Sequence, residues 1–264
     1  MEKTNKFKII AGPCLVESYT MLEQTAETLL QACDGLDVEL IFKSSYRKAN
    51  RTSNDTFTGI GDEKALDQLS MIKRKFGLTL LTDFHSADEA AIAADIVDVL
   101  QIPAFLSRQT DIIKAAEATG KIINIKKGQF MAPEDAIKAA NKISYTDKNK
   151  VWLTERGVSF GYHDLVVDFR SFAIMKNSGF PVIYDATHSV QKPSLGEQSG
   201  GSPEYISMLA RAACTTGIDG IFFETHPNPS QAKSDSATQL PLSMAADFIR
   251  KIICINDFIK NLDN

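Results

Sequence analysis

The sequence predicts an α/β fold, a (β/α)8 TIM barrel forming one domain over residues 1–264. Three observations carry this. Eight short apolar runs alternate with eight longer amphipathic segments from end to end. The runs are rich in Val, Ile, Leu and Phe and mostly lack polar alternation, the pattern of parallel strands buried on both faces. The 264 residues give about 33 per strand–helix unit, and such barrels usually hold ~250 residues.

The first strand is read over 7–11 and is cut by Gly12-Pro13. Strands two to five are read over 38–42, 78–81, 97–102 and 121–125, and strands six to eight over 151–153, 181–184 and 220–223. Helices are expected over 20–32, 63–76, 88–94, 111–119, 133–143, 168–176, 203–216 and 242–262, where apolar residues recur at three- and four-residue steps. Ser86 and Ser202 are expected as N-caps, and Gly77, Gly120, Gly179 and Gly217 stand where helices should end. Strand-then-helix order calls for a parallel sheet. Closure into a barrel rests on the count of eight and the length. Long loops are expected over 44–61, 157–166, 188–202 and 226–240, each after a strand. Gly196-Glu197-Gln198-Ser199-Gly200-Gly201 has the composition of a lid.

Composition narrows the classes. Hydrophobic residues are 44% and charged residues 23%, and the formal net charge is -4. Nucleic acid and anionic membrane are therefore not favoured as partners. Cys14, Cys33, Cys214 and Cys254 show no CxxC pair, which suits reduced thiols in a cytoplasmic protein. The basic N-terminus leads into an apolar run that is too short for a signal peptide. The longest apolar stretch, 90–106, is broken by Asp95, Asp98 and Pro103 and is not expected to span a membrane.

In such barrels the chemistry sits at the C-terminal ends of the strands. All eight runs finish in polar or reactive groups, which is costly unless they pair or meet a ligand. Lys43, Lys126 and Arg156 stand at strand ends, with Lys48 and Arg51 in the loop after strand two. Cations around one rim suit phosphate and carboxylate. Cys14, His188 and Glu224 end strands one, seven and eight, neighbours on a closed barrel, and Asp235 follows strand eight. A thiolate, an imidazole and carboxylates suit Zn²⁺ or Fe²⁺. Spacing alone does not mark such a site. At this point a small buried thiol and a hydrogen-bonded core imidazole stand ahead as readings.

Several blocks together resemble the 3-deoxy-D-manno-octulosonate-8-phosphate synthase family. They are Ala11-Gly12-Pro13-Cys14 with Glu17-Ser18, Phe42-Lys43-Ser44-Ser45, Lys48-Ala49-Asn50-Arg51, and Thr82-Asp83 with His85. Further matches are Gln101-Ile102-Pro103-Ala104-Phe105-Leu106, Arg108-Gln109-Thr110-Asp111, Lys126-Lys127-Gly128-Gln129-Phe130 and Thr154-Glu155-Arg156-Gly157. Asp185-Ala186-Thr187-His188-Ser189-Val190 and Glu224-Thr225-His226-Pro227 complete the set. Single blocks are shared with 3-deoxy-arabino-heptulosonate-7-phosphate synthases.

The resemblance implies a barrel enzyme of lipopolysaccharide precursor synthesis. The third carbon of phosphoenolpyruvate attacks the aldehyde of arabinose 5-phosphate, water adds at the second carbon, and phosphate leaves by carbon–oxygen cleavage. It implies that Lys43, Ser45, Lys48, Gln101, Lys126 and Arg156 hold phosphoenolpyruvate, with Ala104 beside them. Asn50 and Arg51 would hold the sugar phosphate, and Arg108 would reach a neighbouring subunit's site in a homotetramer. Asp83 and His85 are candidates for proton handling or sugar positioning. Cys14 and the stretch Ser234-Asp235-Ser236-Ala237-Thr238-Gln239 resemble the metal-dependent branch. Cys14, His188, Glu224 and Asp235 are then the implied ligands of a divalent ion, Zn²⁺, Fe²⁺ or Mn²⁺. Cys14, Lys43, Asp83, His85, Lys126 and His188 form the implied catalytic set. Departures from the family pattern are Thr52, His163-Asp164 and a lid with less glycine, Leu195-Gly196-Glu197-Gln198-Ser199. Two other readings stay open: the same condensation with erythrose 4-phosphate, and a barrel that binds a sugar phosphate without turnover.

Overall fold

The computed structural model describes residues 6–49, 57–193 and 200–262. Eight parallel strands form its centre: β1 (Phe7–Gly12), β2 (Val38–Lys43), β3 (Thr79–Asp83), β4 (Val99–Ile102), β5 (Ile122–Lys126), β6 (Val151–Glu155), β7 (Val182–Asp185) and β8 (Gly220–His226). They pair in chain order, and β8 returns to β1 in a parallel register from Lys8↔Gly220 to Gly12↔Glu224. That last pairing closes the sheet into a barrel. The helices between and after the strands are α1 (Tyr19–Cys33), α2 (Asp62–Phe76), α3 (Glu89–Ile96), α4 (Thr110–Ala118), α5 (Pro133–Ala140), α6 (Arg170–Lys176), α7 (Ile206–Cys214) and α8 (Ala245–Leu262). The expected (β/α)8 architecture is the one observed.

Two cores follow from the alternation of side chains along each strand. Ile9, Ala11, Phe42, Leu80, Leu100, Ile123, Leu153, Val182, Ile221 and Phe223 point outward and pack under the helices. Ile10, Ile41, Leu81, Val99, Trp152, Ile183 and Phe222 point inward and fill the barrel. Two residues further along each strand, the same inward direction carries Lys43, Asp83, Gln101, Thr154, Asp185 and Glu224, all buried. Period two therefore turns an apolar plug into a polar layer at the C-terminal mouth. Within that layer Asn124 Nδ2 donates to Gln101 Oε1 at 3.0 Å, and Thr154 Oγ1 donates to Asn124 Oδ1 at 2.6 Å.

The helix ends partly follow expectation. Gly77, Gly120, Gly179 and Gly217 all have left-handed backbones at the ends of helices. Neither serine makes a side-chain cap, although Ser202 does stand at an N-cap position. The helix near Ser86 begins at Glu89, and the Ser86 hydroxyl donates to the Glu89 carboxylate instead. Ser202 precedes a short 3-10 turn, Pro203–Tyr205, and makes no side-chain cap. The serine that caps is Ser18, whose hydroxyl accepts from the Met21 amide at 3.3 Å. The stretch 90–106 is divided among α3, β4 and a 3-10 turn. No helix among the described residues is long and apolar enough to cross a membrane.

Candidate active site

The loops after β1 and β2 continue the sheet beyond the barrel. Leu15 bridges Ser45 in parallel, the Ser45 amide donates to the Cys14 carbonyl at 3.3 Å, and the Val16 amide donates to the Ser45 carbonyl at 2.9 Å. Cys14 is thereby held over the mouth. Gly12 has to be glycine, because a Cβ there would run into the Lys43 carbonyl. The clearance lets Lys43 Nζ reach both the Cys14 carbonyl at 3.1 Å and Glu224 Oε1 at 2.6 Å.

Cys14 Sγ, a Glu224 oxygen and an Asp235 oxygen lie within 4.8 Å of one another. His188 Nε2 faces the same acids, 3.6 Å from Glu224 Oε1 and 3.9 Å from Asp235 Oδ2. Its other nitrogen, Nδ1, lies 2.8 Å from Asp185 Oδ2. A proton shared there leaves the Nε2 lone pair turned toward the acids, the arrangement of a metal-binding histidine backed by a carboxylate. Burial, then the charges of Asp235 and Glu224, push the Cys14 thiol well above its ordinary range. A cation among these three groups would relieve that repulsion and favour the thiolate. The residues present can therefore hold a divalent ion.

The cations gather on the adjoining side. Lys126 Nζ donates to Asp185 Oδ2 at 2.6 Å and stands 3.8 Å over the Phe222 ring. Burial, and then neighbouring Lys43, lower its ammonium, while Asp185 and Glu224 oppose the shift. For Lys48 the balance is reversed. Burial pulls it down, but the negative charges around it, Asp83, Glu224 and Asp235 among them, hold it above its usual range. Burial alone would raise Asp185 and Glu224, yet His188 with Lys126, and Lys43 with His188, hold their carboxylates low. Arg156 Nη2 donates to Gln191 Oε1 at 3.1 Å, while its Nη1 is buried without a partner. The Ser44 and Ser45 hydroxyls and Asp83 Oδ1 are likewise buried and unpartnered. The orphaned guanidinium and hydroxyl donors beside a lysine group suit an anionic ligand, whereas the Asp83 oxygen is an acceptor. His85 Nε2 lies 3.3 Å from Asp83 Oδ2.

The structure thus gathers Cys14, Lys43, Ser45, Lys48, Asp83, His85, Gln101, Lys126, Arg156, His188, Glu224 and Asp235 around one mouth. Ala104 is buried in the 3-10 turn after β4. Arg108 is not part of this mouth; it is exposed beyond that turn, where its carbonyl accepts from Lys142 Nζ at 3.0 Å. Asn50, Arg51 and Thr52, with most of the lid, lie outside the described residues. His163, one of the departures, has a positive φ of 57° and hydrogen-bonds the Pro193 carbonyl at 2.7 Å.

Two further residues, named in matching blocks of the sequence, were given no role there. Asp185 orients His188 and could have been found two positions beyond inward Ile183. Gln239 accepts from the Cys14 amide at 3.3 Å and donates to the Ser234 carbonyl at 2.7 Å. No local signal marks it, because its partner is 225 residues away.

The family model described as the DAHP synthetase I family matches residues 2–256. A protein of Trichlorobacter lovleyi named 2-dehydro-3-deoxyphosphooctonate aldolase is 48% identical over 253 residues, covering 96% of this chain and 93% of its own. Proteins of the same name from Cyanothece sp. and Acidithiobacillus ferrooxidans are 49% identical over 250 residues and 47% over 258. They cover 94% and 97% of this chain, and 92% of their own length in each case.

Proposed function

Because the chain belongs to the DAHP synthetase I family, we propose that it condenses phosphoenolpyruvate with arabinose 5-phosphate and water, releasing 3-deoxy-D-manno-octulosonate 8-phosphate and phosphate. The observation that carries this is the single mouth in which Lys43, Lys48, Lys126 and Arg156 adjoin the Cys14–His188–Glu224–Asp235 cluster. Relatives of matching name over nearly the whole chain favour the five-carbon aldose over erythrose 4-phosphate.

The residues divide the work. Lys43, Lys48, Lys126 and Arg156, with Ser45 and Gln101, bind the carboxylate and phosphate of phosphoenolpyruvate. Arg156 Nη1 and the Ser45 hydroxyl have donors to spare for it. Arg156 is also suited to the phosphate that leaves, since charge accumulates on the departing oxygens. Asn50 and Arg51, beyond Lys48, are assigned to the aldose phosphate. His85 beside Asp83 is the candidate for moving a proton. Cys14, His188, Glu224 and Asp235 would hold a divalent ion, Zn²⁺, Fe²⁺ or Mn²⁺, which would supply Lewis acidity toward the aldehyde and its neighbouring hydroxyl, or toward water. The apolar plug below the mouth excludes water from beneath.

We place the reaction in the cytoplasm, consistent with four unpaired cysteines. A homotetramer would explain why Arg108 and the large side chains of Phe105 and Phe130 stand exposed near the mouth. The test is phosphate release by purified protein. It should require phosphoenolpyruvate and arabinose 5-phosphate together, proceed faster than with erythrose 4-phosphate, and stop in chelator. Cys14→Ala should lose bound metal and most turnover. Full activity of that variant in chelator would remove the metal from the mechanism, and binding without turnover would reduce the barrel to a sugar-phosphate receptor.

A further inference from the structure

The segment after β8 that carries Asp235 is fastened at both ends to the loop after β1 that carries Cys14. At its far end Gln239 joins the Cys14 amide to the Ser234 carbonyl. At its near end the Lys233 amide donates to Glu17 Oε1 at 2.9 Å. The Lys233 side chain turns away, its Nζ 4.5 Å over the Phe57 ring, so the bond to Glu17 is the backbone's own. Between the two fastenings the Cys14 thiol lies 2.9 Å from Ser234 Oγ and 3.2 Å from Asp235 Oδ2. Asp235 has a left-handed backbone, with φ 48°. A residue with a side chain holds that conformation only where its surroundings impose it.

Glu17 is a firm post for this bond. The Val16 amide before it is pinned to the Ser45 carbonyl, and Ser18 after it caps α1. A second donor faces the same oxygen. His226, the last residue of β8, has Nε2 3.8 Å from Glu17 Oε1, and only 8% and 12% of the two side chains are exposed. The Asn228 amide donates to His226 Nδ1 at 3.0 Å, so the ring carries its hydrogen on Nε2. That nitrogen is buried with no partner within bonding distance, and the Glu17 carboxylate is the acceptor it faces. With its hydrogen there it has no lone pair to offer, so this pair is not a second metal site. A carboxylate placed only to favour the start of α1 would serve the helix alone. Glu17 serves the loop after β8.

We infer that Glu17 is a positioning residue for the metal cluster, its carboxylate oxygen holding residue 233 beside the end of β8 so that the Asp235 carboxylate stays against Cys14. The inference rests on the reading of Cys14, His188, Glu224 and Asp235 as ligands of one ion. Glu17 is not among them and acts through Asp235.

The Zn²⁺ affinity of the full chain, measured by competition with a chromogenic chelator, tests this without turnover. Glu17→Ala should weaken Zn²⁺ binding about tenfold, as loss of a residue supporting a metal ligand does. Glu17→Gln keeps an oxygen for both donors and should stay within about threefold of wild type. In an Asp235→Ala background, Glu17→Ala should cost nothing further, because the residue it positions is gone. A merely structural role would lower the melting temperature of Glu17→Ala and leave its Zn²⁺ affinity unchanged. A Gln variant as weak as the Ala variant would make the effect one of charge alone. An undiminished loss in the Asp235→Ala background would detach Glu17 from Asp235. Any of these three results overturns the inference. Hydrogen exchange reads the fastening with no ion bound. Peptides covering 228–240 should exchange faster in Glu17→Ala, with those around Glu89 and Lys127 unchanged. Unchanged exchange at 228–240 would remove the fastening itself. If the wild-type chain binds no Zn²⁺, the ligand reading fails, while the exchange result still decides whether Glu17 holds residue 233.

Discussion

The two nitrogens of His188 face different partners. Nδ1 is taken by Asp185, which also takes the ammonium of Lys126. Asp185→Asn keeps the shape and removes the charge that fixes this tautomer. Metal affinity should fall about 10- to 100-fold, as for other carboxylates behind a metal-binding histidine, measured by competition with a chromogenic chelator. Glu89 gives a pH signature. Burial would raise its carboxyl, but hydrogen bonds from Tyr46, the His85 amide and Ser86, with the Arg47 charge, hold it below the ordinary 4.5. A lowered folded value means a contribution that is complete above the unfolded value and fades as pH falls through the folded one. The groups facing Glu89 are Tyr46, Arg47 and His85. The stability difference between wild type and Glu89→Gln should thus be constant from pH 7 to about 5 and shrink below ~4.5, read from denaturant midpoints. Lys43 was legible in the sequence because it ends an apolar run, whereas the ligand roles of Cys14 and Glu224 came from the family resemblance. Asp185 stood in the same place, but its role is visible only once His188 is beside it. Glu89 lies four residues beyond His85, yet its link to Tyr46 depends on how two loops stack.

Strands and loops divide in how firmly they hold the mouth. The strand ends are pinned by a buried pair between β5 and β6. Lys127 Nζ lies 3.2 Å from Glu155 Oε1 and reaches the Met131 and Gly157 carbonyls at 3.3 and 3.4 Å. Both side chains are about 1% exposed. Each sits beside a residue assigned to phosphoenolpyruvate, Lys126 and Arg156. Lys127→Met leaves the Glu155 carboxylate buried without its partner, which costs about 3–5 kcal/mol. Urea unfolding should show that loss, and a cost under about 1 kcal/mol would mean that water or another residue takes over. The strands themselves were readable to within three residues, because burial on both sides leaves mostly apolar residues between polar ends. The helix starts were less so. Glu89 accepts the Ser86 hydroxyl, so the serine that resembles a cap is a donor to the helix instead. A local cap pattern gives no hint of this, since the carboxylate is also recruited by the loop after β2.

On the scale of the molecule, one continuous hydrogen-bonded ring and two concentric cores should melt together. Calorimetry is expected to give one cooperative transition across the chain; two resolved transitions would divide it into separately folding parts. The count of strands was legible from their alternation with helices, and the pairing of first with last followed from that count and the length, because no short stretch of sequence records it. That seam has a consequence for how the enzyme comes into being. Cys14 belongs to the earliest part of the chain, whereas Glu224 and Asp235 come near its end, and the Gly12↔Glu224 register brings them face to face. A growing polypeptide on the ribosome cannot assemble the donor set until nearly the last strand has been made. An ion captured there would act as a rivet across the final join, favouring the completed ring over every shorter or unzipped form.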